Sequence, residues 1–210
     1  MNPIIKSAIK HRPTEHWIQN QSNLAWLKLD IEVPAVDIFY EVEKIKSYFV
    51  NHRDNDRQLN YQHQGWKSLT LYGVNPWTTT TGPGPYNWTD IIDQCPVTKQ
   101  FIETYWEINS STGRIRFMLL ESNGHIMPHE DRLETGLKES NVAITHPANC
   151  EFRFVNHGTI PFSSGDAFII DTSKQHLVYN NSMEHRIHII VHSQLKPGII
   201  SRSYEQSFYN

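Results

Sequence analysis

The sequence predicts a mainly β protein with flanking helices, and two patterns indicate this fold class. Short apolar runs at 142–144, 167–170 and 187–191 are rich in β-branched or aromatic residues, and Gly, Pro, Asn and Ser separate them. Runs this short between turn residues are typical of a sandwich or barrel, and a double-sheet jelly roll fits the pattern. Helical periodicity is confined to the first half of the chain.

Two helices are predicted to pack outside the β core. Ile38, Val42 and Ile45 recur at helical spacing between charged residues, which predicts a helix over 35–50. A second helical pattern covers 96–106, and a proline near each start suits the first helical turn.

The 210 residues are interpreted as one domain, 1–210. We expect residues 1–110 to form an N-terminal support region of helices and an aromatic-rich loop, with some early β structure in its first 34 residues. Residues 111–196 form the jelly-roll catalytic core. Residues 197–210 form a tail without a strong pattern, and its aromatic residues leave docking on a neighbouring subunit, and thus a homo-oligomer, open.

The stretch 65–88 carries several aromatic residues, including Trp77 and Trp88, around a Gly-Pro-Gly-Pro sequence at 82–85. Proline and glycine in alternation disfavour a helix or a central strand, so the stretch is predicted to be a long loop. Aromatic packing that pins the loop to the core is the favoured interpretation. A lid over a binding site is the alternative.

Charge and hydropathy exclude two classes of partner. The formal net charge is −3, which provides no basic surface for nucleic acid or an anionic membrane. No apolar run is long enough to span a bilayer, so we expect no membrane association.

Cysteine usage favours a reducing compartment. Cys95 and Cys150 are the only cysteines, too few for a disulfide framework in a chain of this length. The N-terminus lacks the apolar segment of a secretory signal. A cytoplasmic location is therefore predicted.

Four residues between 129 and 186 form the main functional pattern. His129 and Asp131 are two positions apart, so on a strand both side chains point to the same side. Together with His176 they could bind a ferrous ion on one face and leave three coordination positions open, the facial triad of non-heme oxygenases. Arg186, ten residues after His176, offers a planar, permanently charged group suited to a carboxylate.

Other polar residues nearby have less specific interpretations. His185 and His192 are predicted to lie at the surface. Asp171 could orient the ring of His176, or it could be a turn residue, and the two interpretations are held equal.

The segments 115–120, 126–131, 165–171 and 186–191, together with His176, resemble the aspartyl/asparaginyl β-hydroxylase-like family of Fe(II)/2-oxoglutarate dioxygenases. That family includes small bacterial proline hydroxylases. The resemblance implies a double-stranded β-helix, which is a cupin-like jelly roll, with Fe(II) as metal, 2-oxoglutarate as co-substrate and O2 as oxidant. It also implies that Arg186 binds the distal carboxylate of 2-oxoglutarate.

The resemblance departs from the family pattern at one place. The family often carries Arg-x-His on the strand after the first ligands, where this chain has Asn141-Val142-Ala143. The second co-substrate contact is then absent or comes from another residue. The co-substrate candidates beside Arg186 are His188, which shares its strand face, and Asn141 and Thr145, with His146 and Arg153 as further possibilities. A hydrogen-bonded core histidine is the favoured alternative for His188.

The resulting prediction is a dioxygenase that hydroxylates a C–H bond of an amino acid, free or in a peptide or protein, with succinate and CO2 as co-products. The iron ligands, His129, Asp131 and His176, are also the catalytic residues. The substrate is a small molecule or a peptide, and its candidate contacts are Arg132, Arg153, Trp77 and Trp88.

Two other functions stay open. A cupin-like metal-binding protein or isomerase would bind metal without turning over 2-oxoglutarate, and the missing Arg-x-His favours it. A structural zinc site is disfavoured, because such sites are usually closed and rich in cysteine.

Overall fold

The computed structural model describes residues 12–54, 56, 59–80, 84–109 and 113–208. The start of the predicted N-terminal arm, part of the Gly-Pro sequence and Tyr209 lie outside these residues. The helices are α1 Glu15–Gln21, α2 Ala35–Ile45, α3 Pro96–Tyr105 and α4 Ile199–Gln206. The strands are β1 Trp26–Lys28, β2 Val50–Asn51, β3 His63–Gly73, β4 Asn87–Trp88, β5 Ile115–His129, β6 Glu139–Thr145, β7 Cys150–Phe154, β8 Gly158–Thr159, β9 Ala167–Ile170, β10 His176–Asn180 and β11 Arg186–Val191.

The strands form a double-stranded β-helix, as predicted. Their antiparallel pairing follows the order β1-β9-β6-β11-β5-β10-β7-β8. The first half of β5 pairs with β11, from Val191 opposite Ile115 to Arg186 opposite Leu120. Its second half pairs with β10, where His176 lies opposite His129. One sheet therefore contains β9, β6, β11 and the start of β5, and the facing sheet contains the end of β5, β10, β7 and β8.

Strand β5 changes sheets near Gly124. A Cβ atom at Gly124 would lie 2.8 Å from the carbonyl oxygen of Glu121 and 2.9 Å from that of Gln64, so only glycine fits the crossing. Asn123 beside it has a φ of 58°, which redirects the chain between the two halves of the strand.

The two faces of β5 contribute to different environments. Ile115, Phe117 and Leu119 are buried in the larger hydrophobic core, which also holds the apolar faces of α2 and α3. Because side chains alternate along a strand, Arg116 and Met118 face the interior between the sheets, where both line a cavity. The first half of β5 therefore separates the outer core from this cavity.

The helix predictions are confirmed, with shorter bounds. Helix α2 buries Ile38, Val42 and Ile45 and is followed by a 3-10 turn at Lys46–Tyr48. Helix α3 begins at Pro96, as expected.

One local prediction is wrong. The stretch 65–88 is predicted to be a loop, but residues 65–73 lie in β3, which pairs with β5, because the prolines of that stretch come only later. The early β structure expected in the N-terminal arm is β1, with helix α1 before it, and the tail, for which no element was predicted, forms helix α4, whose Ile199 and Ile200 are buried. Within the described residues, no helix is both long and apolar enough to cross a bilayer.

A buried carboxylate connects the two outer helices. Glu41 of α2 accepts hydrogen bonds from the backbone N–H groups of Val97 (2.7 Å) and Thr98 (3.0 Å) and from the Thr98 hydroxyl (2.6 Å). These N–H groups belong to the first turn of α3, where backbone N–H groups have no acceptors within their own helix. Glu41 thus caps α3 from a neighbouring helix, and its charge lies at the positive end of the α3 dipole.

We expect Glu41→Ala to lower the free energy of unfolding by about 2–4 kcal/mol, since it removes charged hydrogen bonds and leaves buried N–H groups unpaired. Urea unfolding followed by circular dichroism measures this. The matched control is Glu43→Ala, which removes an exposed carboxylate from the same helix and should change stability by no more than about 0.5 kcal/mol. Equal effects of the two substitutions would contradict the capping role.

Candidate active site

A cavity of about 740 Å³ lies between the two sheets. Both sheets contribute apolar side chains to its wall, and charged groups concentrate at distinct places around it. The apolar lining includes Met118, Ile126, Phe152, Ile170, Val178, Ile190 and Trp66. A partly apolar cavity with a few convergent polar groups is the usual form of a small-molecule site.

The His129, Asp131 and His176 side chains meet at this cavity. His129 ends β5 and His176 begins β10, and the two are direct cross-strand partners. Asp131 follows two positions after His129. Its carboxylate oxygens lie 3.6 Å from Nε2 of His129 and 3.5 Å from Nε2 of His176. All three donor atoms lie within 4.8 Å of one another.

Backbone carbonyl groups determine which ring nitrogen of each histidine is free. Nδ1 of His129 lies 2.8 Å from the carbonyl oxygen of Met127, and Nδ1 of His176 lies 2.9 Å from that of Lys174. A carbonyl oxygen only accepts, so each Nδ1 must carry the hydrogen and donate it. Each Nε2 therefore presents its lone pair toward Asp131, which is the arrangement a metal ligand needs.

Ring stacking holds both imidazoles in place. Tyr61 stacks on His129 with ring centroids 4.0 Å apart, and Phe152 stacks on His176 with an interplanar angle of 9°. Both histidines are buried, whereas 44% of the Asp131 side chain is exposed. The carboxylate therefore leaves one side of the cluster open to a ligand.

The charge states of the cluster suit a divalent metal. Burial, and then the nearby His176, lower the pKa of His129 to about 4. Burial alone would raise the pKa of Asp131, but its contacts with His176 and then with His129 lower it to about 2. A neutral imidazole and an ionised carboxylate are the forms that bind metal. Donor atoms of a facial set on bonds of about 2.1 Å lie roughly 3 Å apart, so the observed spacing fits with small adjustments.

Asp171 does not orient the ring of His176. Its carboxylate accepts hydrogen bonds from the Ser173 hydroxyl (2.6 Å) and from Lys174 (2.9 Å), and it pairs with Arg132 at 3.2 Å. The turn interpretation is therefore the correct one. Asp171 stabilises the turn whose Lys174 carbonyl holds His176.

Arg186 lies at the start of β11, with its side chain buried in the cavity wall. Its Nε has no hydrogen-bond partner, and no Asp or Glu of the described residues forms an ion pair with it. Its guanidinium carbon lies 5.9 Å from the ring centre of Phe152. Burial lowers its pKa to about 10, so it stays a cation at neutral pH. A buried cation without a counter-charge is a strong attraction for an anionic ligand.

A chain of imidazoles holds Arg186 in position. Nη2 of Arg186 lies 2.9 Å from Nδ1 of His188, Nε2 of His188 lies 3.1 Å from Nδ1 of His146, and Nε2 of His146 lies 3.1 Å from the carbonyl oxygen of Cys150. The carbonyl must accept from His146, so His146 accepts from His188, and His188 accepts from Arg186. Oδ1 of Asn141 lies 2.5 Å from the same His188 nitrogen. The order of donors given above requires this amide to be turned, so that its NH2 group faces the nitrogen.

The electrostatics agree with this order of donors. Burial, followed by the charge of Arg186, lowers the pKa of His146 to about 4. The same two causes lower the pKa of His188 well below its ordinary value. Both rings are therefore neutral at pH 7, and each has one donor and one acceptor nitrogen. His188 is a hydrogen-bonded core histidine that contacts Arg186, and Asn141 reaches both His188 and the cavity.

The structure does not place Thr145 in the cavity lining. Its hydroxyl donates to the carbonyl of His185 (2.8 Å) and accepts from the N–H of Ile187 (2.9 Å). Thr145 lies at the end of β6, and its side chain is directed to the start of β11. Its hydroxyl therefore does not form the expected co-substrate contact.

The candidate substrate residues separate into two groups. Arg132 lines the cavity, but Glu139 (3.1 Å) and Asp171 occupy its guanidinium. Arg153 is exposed on the outer face of β7, since Phe152 and Phe154 take the inner face.

Trp77 and Trp88 are also outside the lining. Trp77 is 56% exposed, and Trp88 packs edge-on against Tyr72. Thr79, Thr80 and Tyr86 of the same stretch line the cavity instead. The packing interpretation therefore describes Trp88, while other members of the stretch border the site.

Sequence reasoning missed Arg116 and misplaced His192, which lines the cavity rather than the surface. The signal for Arg116 was available, because it is the one charged residue in the apolar strand start Ile115-Arg116-Phe117-Met118. A charge inside a buried strand usually has a partner or a ligand.

The fold and the site define a jelly-roll protein with a candidate facial metal centre. The sequence profile described as Aspartyl/Asparaginyl beta-hydroxylase matches residues 24–194. The chain therefore belongs to the aspartyl/asparaginyl β-hydroxylase family, which makes it an enzyme of the oxygenase and hydroxylase class.

Solved structures show similar folds at low sequence identity. OsALKBH1 is 13% identical, with a TM-score of 0.50 over 84% of this chain and 100% of that chain. A Pseudomonas putida prolyl-4-hydroxylase is 10% identical, with a TM-score of 0.48 over 87% and 97%. A 2OG-Fe(II) oxygenase family oxidoreductase from Burkholderia pseudomallei is 10% identical, with a TM-score of 0.45 over 84% and 85%. No curated protein matches the chain.

Replacing His146 tests whether the imidazole chain positions Arg186. We expect His146→Phe to weaken 2-oxoglutarate binding about 3- to 10-fold, the net value of roughly one hydrogen bond, and to leave metal affinity unchanged. Calorimetric titration measures both affinities. His157→Phe, at an exposed position, is the control. Unchanged co-substrate affinity in His146→Phe would show that Arg186 does not depend on the chain.

The buried histidines predict acid sensitivity of the metal-free protein. The pKa values of His52, His129 and His188 are lowered, first by burial, so each takes up a proton when the protein unfolds below pH 6.5. Their stabilisation is complete above pH 6.5 and is lost as the pH falls. Below pH 6.5 each of these histidines should contribute up to about 1.4 kcal/mol per pH unit, and His146 and His192, whose pKa values are also lowered first by burial, add to the slope.

Urea unfolding at pH 7.5, 6.5 and 5.5 without added metal measures this slope. His52→Gln should reduce it by up to about 1.4 kcal/mol per pH unit, because one proton-uptake site is removed. A free energy of unfolding that is the same at all three pH values would contradict neutral burial of these rings.

Proposed function

We propose that the chain is an Fe(II)- and 2-oxoglutarate-dependent dioxygenase that hydroxylates a C–H bond of an amino acid, with succinate and CO2 as co-products. One observation carries the proposal. Two buried histidines present Nε2 toward Asp131, in the same cavity where the buried Arg186 has no carboxylate partner among the described residues.

His129, Asp131 and His176 would hold the iron. They supply two neutral nitrogen donors and one carboxylate from one side, which leaves the cavity side open for ligands. When bound, iron and 2-oxoglutarate supply the oxidative decarboxylation that activates dioxygen for C–H hydroxylation. The protein's own task is to orient the two organic molecules and limit access of water.

Arg186 would bind the far carboxylate of 2-oxoglutarate through its guanidinium. His188 accepts a hydrogen bond from one N–H group of Arg186. This bond fixes the orientation of the guanidinium and therefore the directions of its remaining donors. The Phe152 ring is close to both Arg186 and His176, so it forms an apolar side wall along the path by which 2-oxoglutarate would reach from the metal site to Arg186. Such a wall restricts water near the reacting groups.

The metal-binding protein without 2-oxoglutarate turnover is the alternative. Asn141 stands where the family pattern has a charged residue, and it reaches His188 rather than offering a second positive charge. This alternative predicts metal binding and no 2-oxoglutarate binding. We also propose that the enzyme is cytoplasmic, which is consistent with the free buried thiols of Cys95 and Cys150. Its substrate is a small molecule or a peptide. Assembly as a homo-oligomer is a further proposal.

An anaerobic titration tests the proposed function. Fe(II)-loaded protein should develop a visible metal-to-ligand charge-transfer band when 2-oxoglutarate is added. His129→Ala should abolish the band together with metal binding. Arg186→Met should weaken 2-oxoglutarate binding by at least about 30-fold and abolish turnover, because the far carboxylate of 2-oxoglutarate loses its cationic partner. The affinity for iron should stay within about two-fold.

The matched control is Arg153→Met, which removes an exposed arginine outside the cavity and should leave the band unchanged. A protein that binds iron but forms no band would support the cupin-like alternative. Loss of iron from Arg186→Met, or normal turnover in it, would contradict the role assigned to Arg186.

A further inference from the structure

A second buried arginine, Arg116, lines the same cavity at the other end of the paired strands β5 and β11. Arg116 of β5 pairs with Ile190, whereas Arg186 pairs with Leu120, so the two arginines lie four residues apart along one ladder. At about 3.4 Å per residue this is roughly 13 Å along the strands. Both side chains line the cavity. They therefore mark two separate positively charged positions.

The Arg116 guanidinium has few partners. Nη1 donates a long hydrogen bond of 3.4 Å to the carbonyl of Thr79, and Nη2 lies 3.5 Å from Nε2 of His192. Its Nε has no partner, although the residue is only 7% exposed. No Asp or Glu of the described residues pairs with it, and the remaining residues of the chain include no acid.

Arg132 shows what a satisfied arginine in this cavity looks like. It pairs with both Glu139 and Asp171, within hydrogen-bond distance of each. Among Arg116, Arg132 and Arg186, only Arg132 has a carboxylate partner in the described part of the chain. Burying a guanidinium without an anion is unfavourable, and the protein keeps two of them at one cavity.

The surroundings of Arg116 do not offset its charge. Arg114 and Arg53 also line the cavity, and the Arg53 guanidinium is ion-paired with Asp56. Burial and then Arg114 lower the pKa of Arg116 to about 9, which leaves it charged at neutral pH. His192 is neutral, since burial and then Arg116 lower its pKa to about 3. The nearest partners of Arg116 thus offer neutral acceptors, and none of them compensates its charge.

The position also relates Arg116 to the metal cluster. The Asp131 carboxylate is close enough to raise the pKa of Arg116 and of His192, whereas it has no such effect on Arg186. Arg116 and the three residues of the cluster line the same cavity, so a ligand held at Arg116 would lie in the cavity onto which the cluster opens. The Asp131 charge itself would be taken by the metal.

We infer that Arg116 binds a free carboxylate of the substrate, so that the enzyme acts on an amino acid or similar small acid rather than on a neutral residue within a peptide. This rests on the proposed function. Arg186 accounts for the co-substrate carboxylate, and the second uncompensated arginine needs a second carboxylate. A cavity of about 740 Å³ has room for both molecules. An internal peptide residue with a neutral side chain would bring only neutral groups to the same place and leave Arg116 unpaired.

The test compares acids with their amides. The probes are the standard L-amino acids and their primary amides, titrated by saturation-transfer NMR into protein loaded with Zn(II) and 2-oxoglutarate, which does not turn over. At least one acid should bind, and its amide should bind at least about 30-fold more weakly. Arg116→Met should remove that preference, and Arg116→Lys should restore part of it, because it keeps the charge but not the paired donors.

Two further readouts separate a ligand-binding role from a structural one. Arg116→Met should leave the thermal midpoint unchanged or raised, since it replaces an unpaired buried charge with an apolar side chain. It should also keep the Fe(II)–2-oxoglutarate band. Arg153→Met, which removes an exposed arginine, is the control and should keep the preference for acids.

The outcomes distinguish this inference from the proposed function. No acid preferred over its amide, or a preference that survives Arg116→Met, would overturn the inference while the intact band leaves the proposed function standing. Loss of the band in Arg116→Met, with metal still bound, would assign Arg116 to the co-substrate and also overturn it. No band in the unsubstituted protein would overturn the proposed function itself.

Discussion

The pairing of β5 with both sheets is the constraint on which the site depends. One half of this strand pairs with β11 and the other half with β10, so a single strand relates Arg116 and Arg186 to His129 and His176. The cross-strand pair of His129 and His176 brings two ligands together without any loop. A register shift of one residue in β10 would turn His176 away from the cavity. The metal cluster is therefore a property of strand register.

Electrostatic imbalance is the second organising feature. The cavity holds a cluster with one carboxylate and, farther along the same walls, two arginines without carboxylate partners among the described residues. Two other largely buried charges have close partners: Glu41 accepts three hydrogen bonds, and Arg132 forms ion pairs with two carboxylates. Among these four charges of the described residues, the two without such partners, Arg116 and Arg186, lie at the cavity, where a ligand can supply the missing partner. Such confinement is typical of sites that trade stability for binding.

The fold class and the clustering of His129, Asp131 and His176, which could hold a metal, were predictable from short sequence patterns. The His-x-Asp spacing puts two side chains on one face, and short β-branched runs separated by turn residues indicate a β sandwich or barrel. Strand β3 was not predicted because the Gly-Pro sequence at 82–85, which disfavours a strand only locally, was taken to indicate a loop over the whole stretch 65–88. Helix α4 was missed because its periodicity covers only two turns.

Side-chain direction was the harder part of the site to predict. Thr145 and Arg153 were near the right strands, but the faces they occupy depend on pairing with partners far along the chain. Arg116 looked like part of an apolar strand, and His192 looked like a surface residue just beyond one. Their meeting in the cavity follows from the antiparallel alignment of β5 and β11, which no local pattern encodes.

The imidazole chain behind Arg186 ends at the Cys150 carbonyl, at the start of β7. The backbone of the β6–β7 connection is therefore part of the support for a residue it never touches. Insertions or substitutions in that connection would tune how firmly the guanidinium is held, while every group facing the cavity stayed the same. Enzymes with identical pocket linings could in this way differ in co-substrate affinity, and a comparison restricted to pocket residues would overlook the cause.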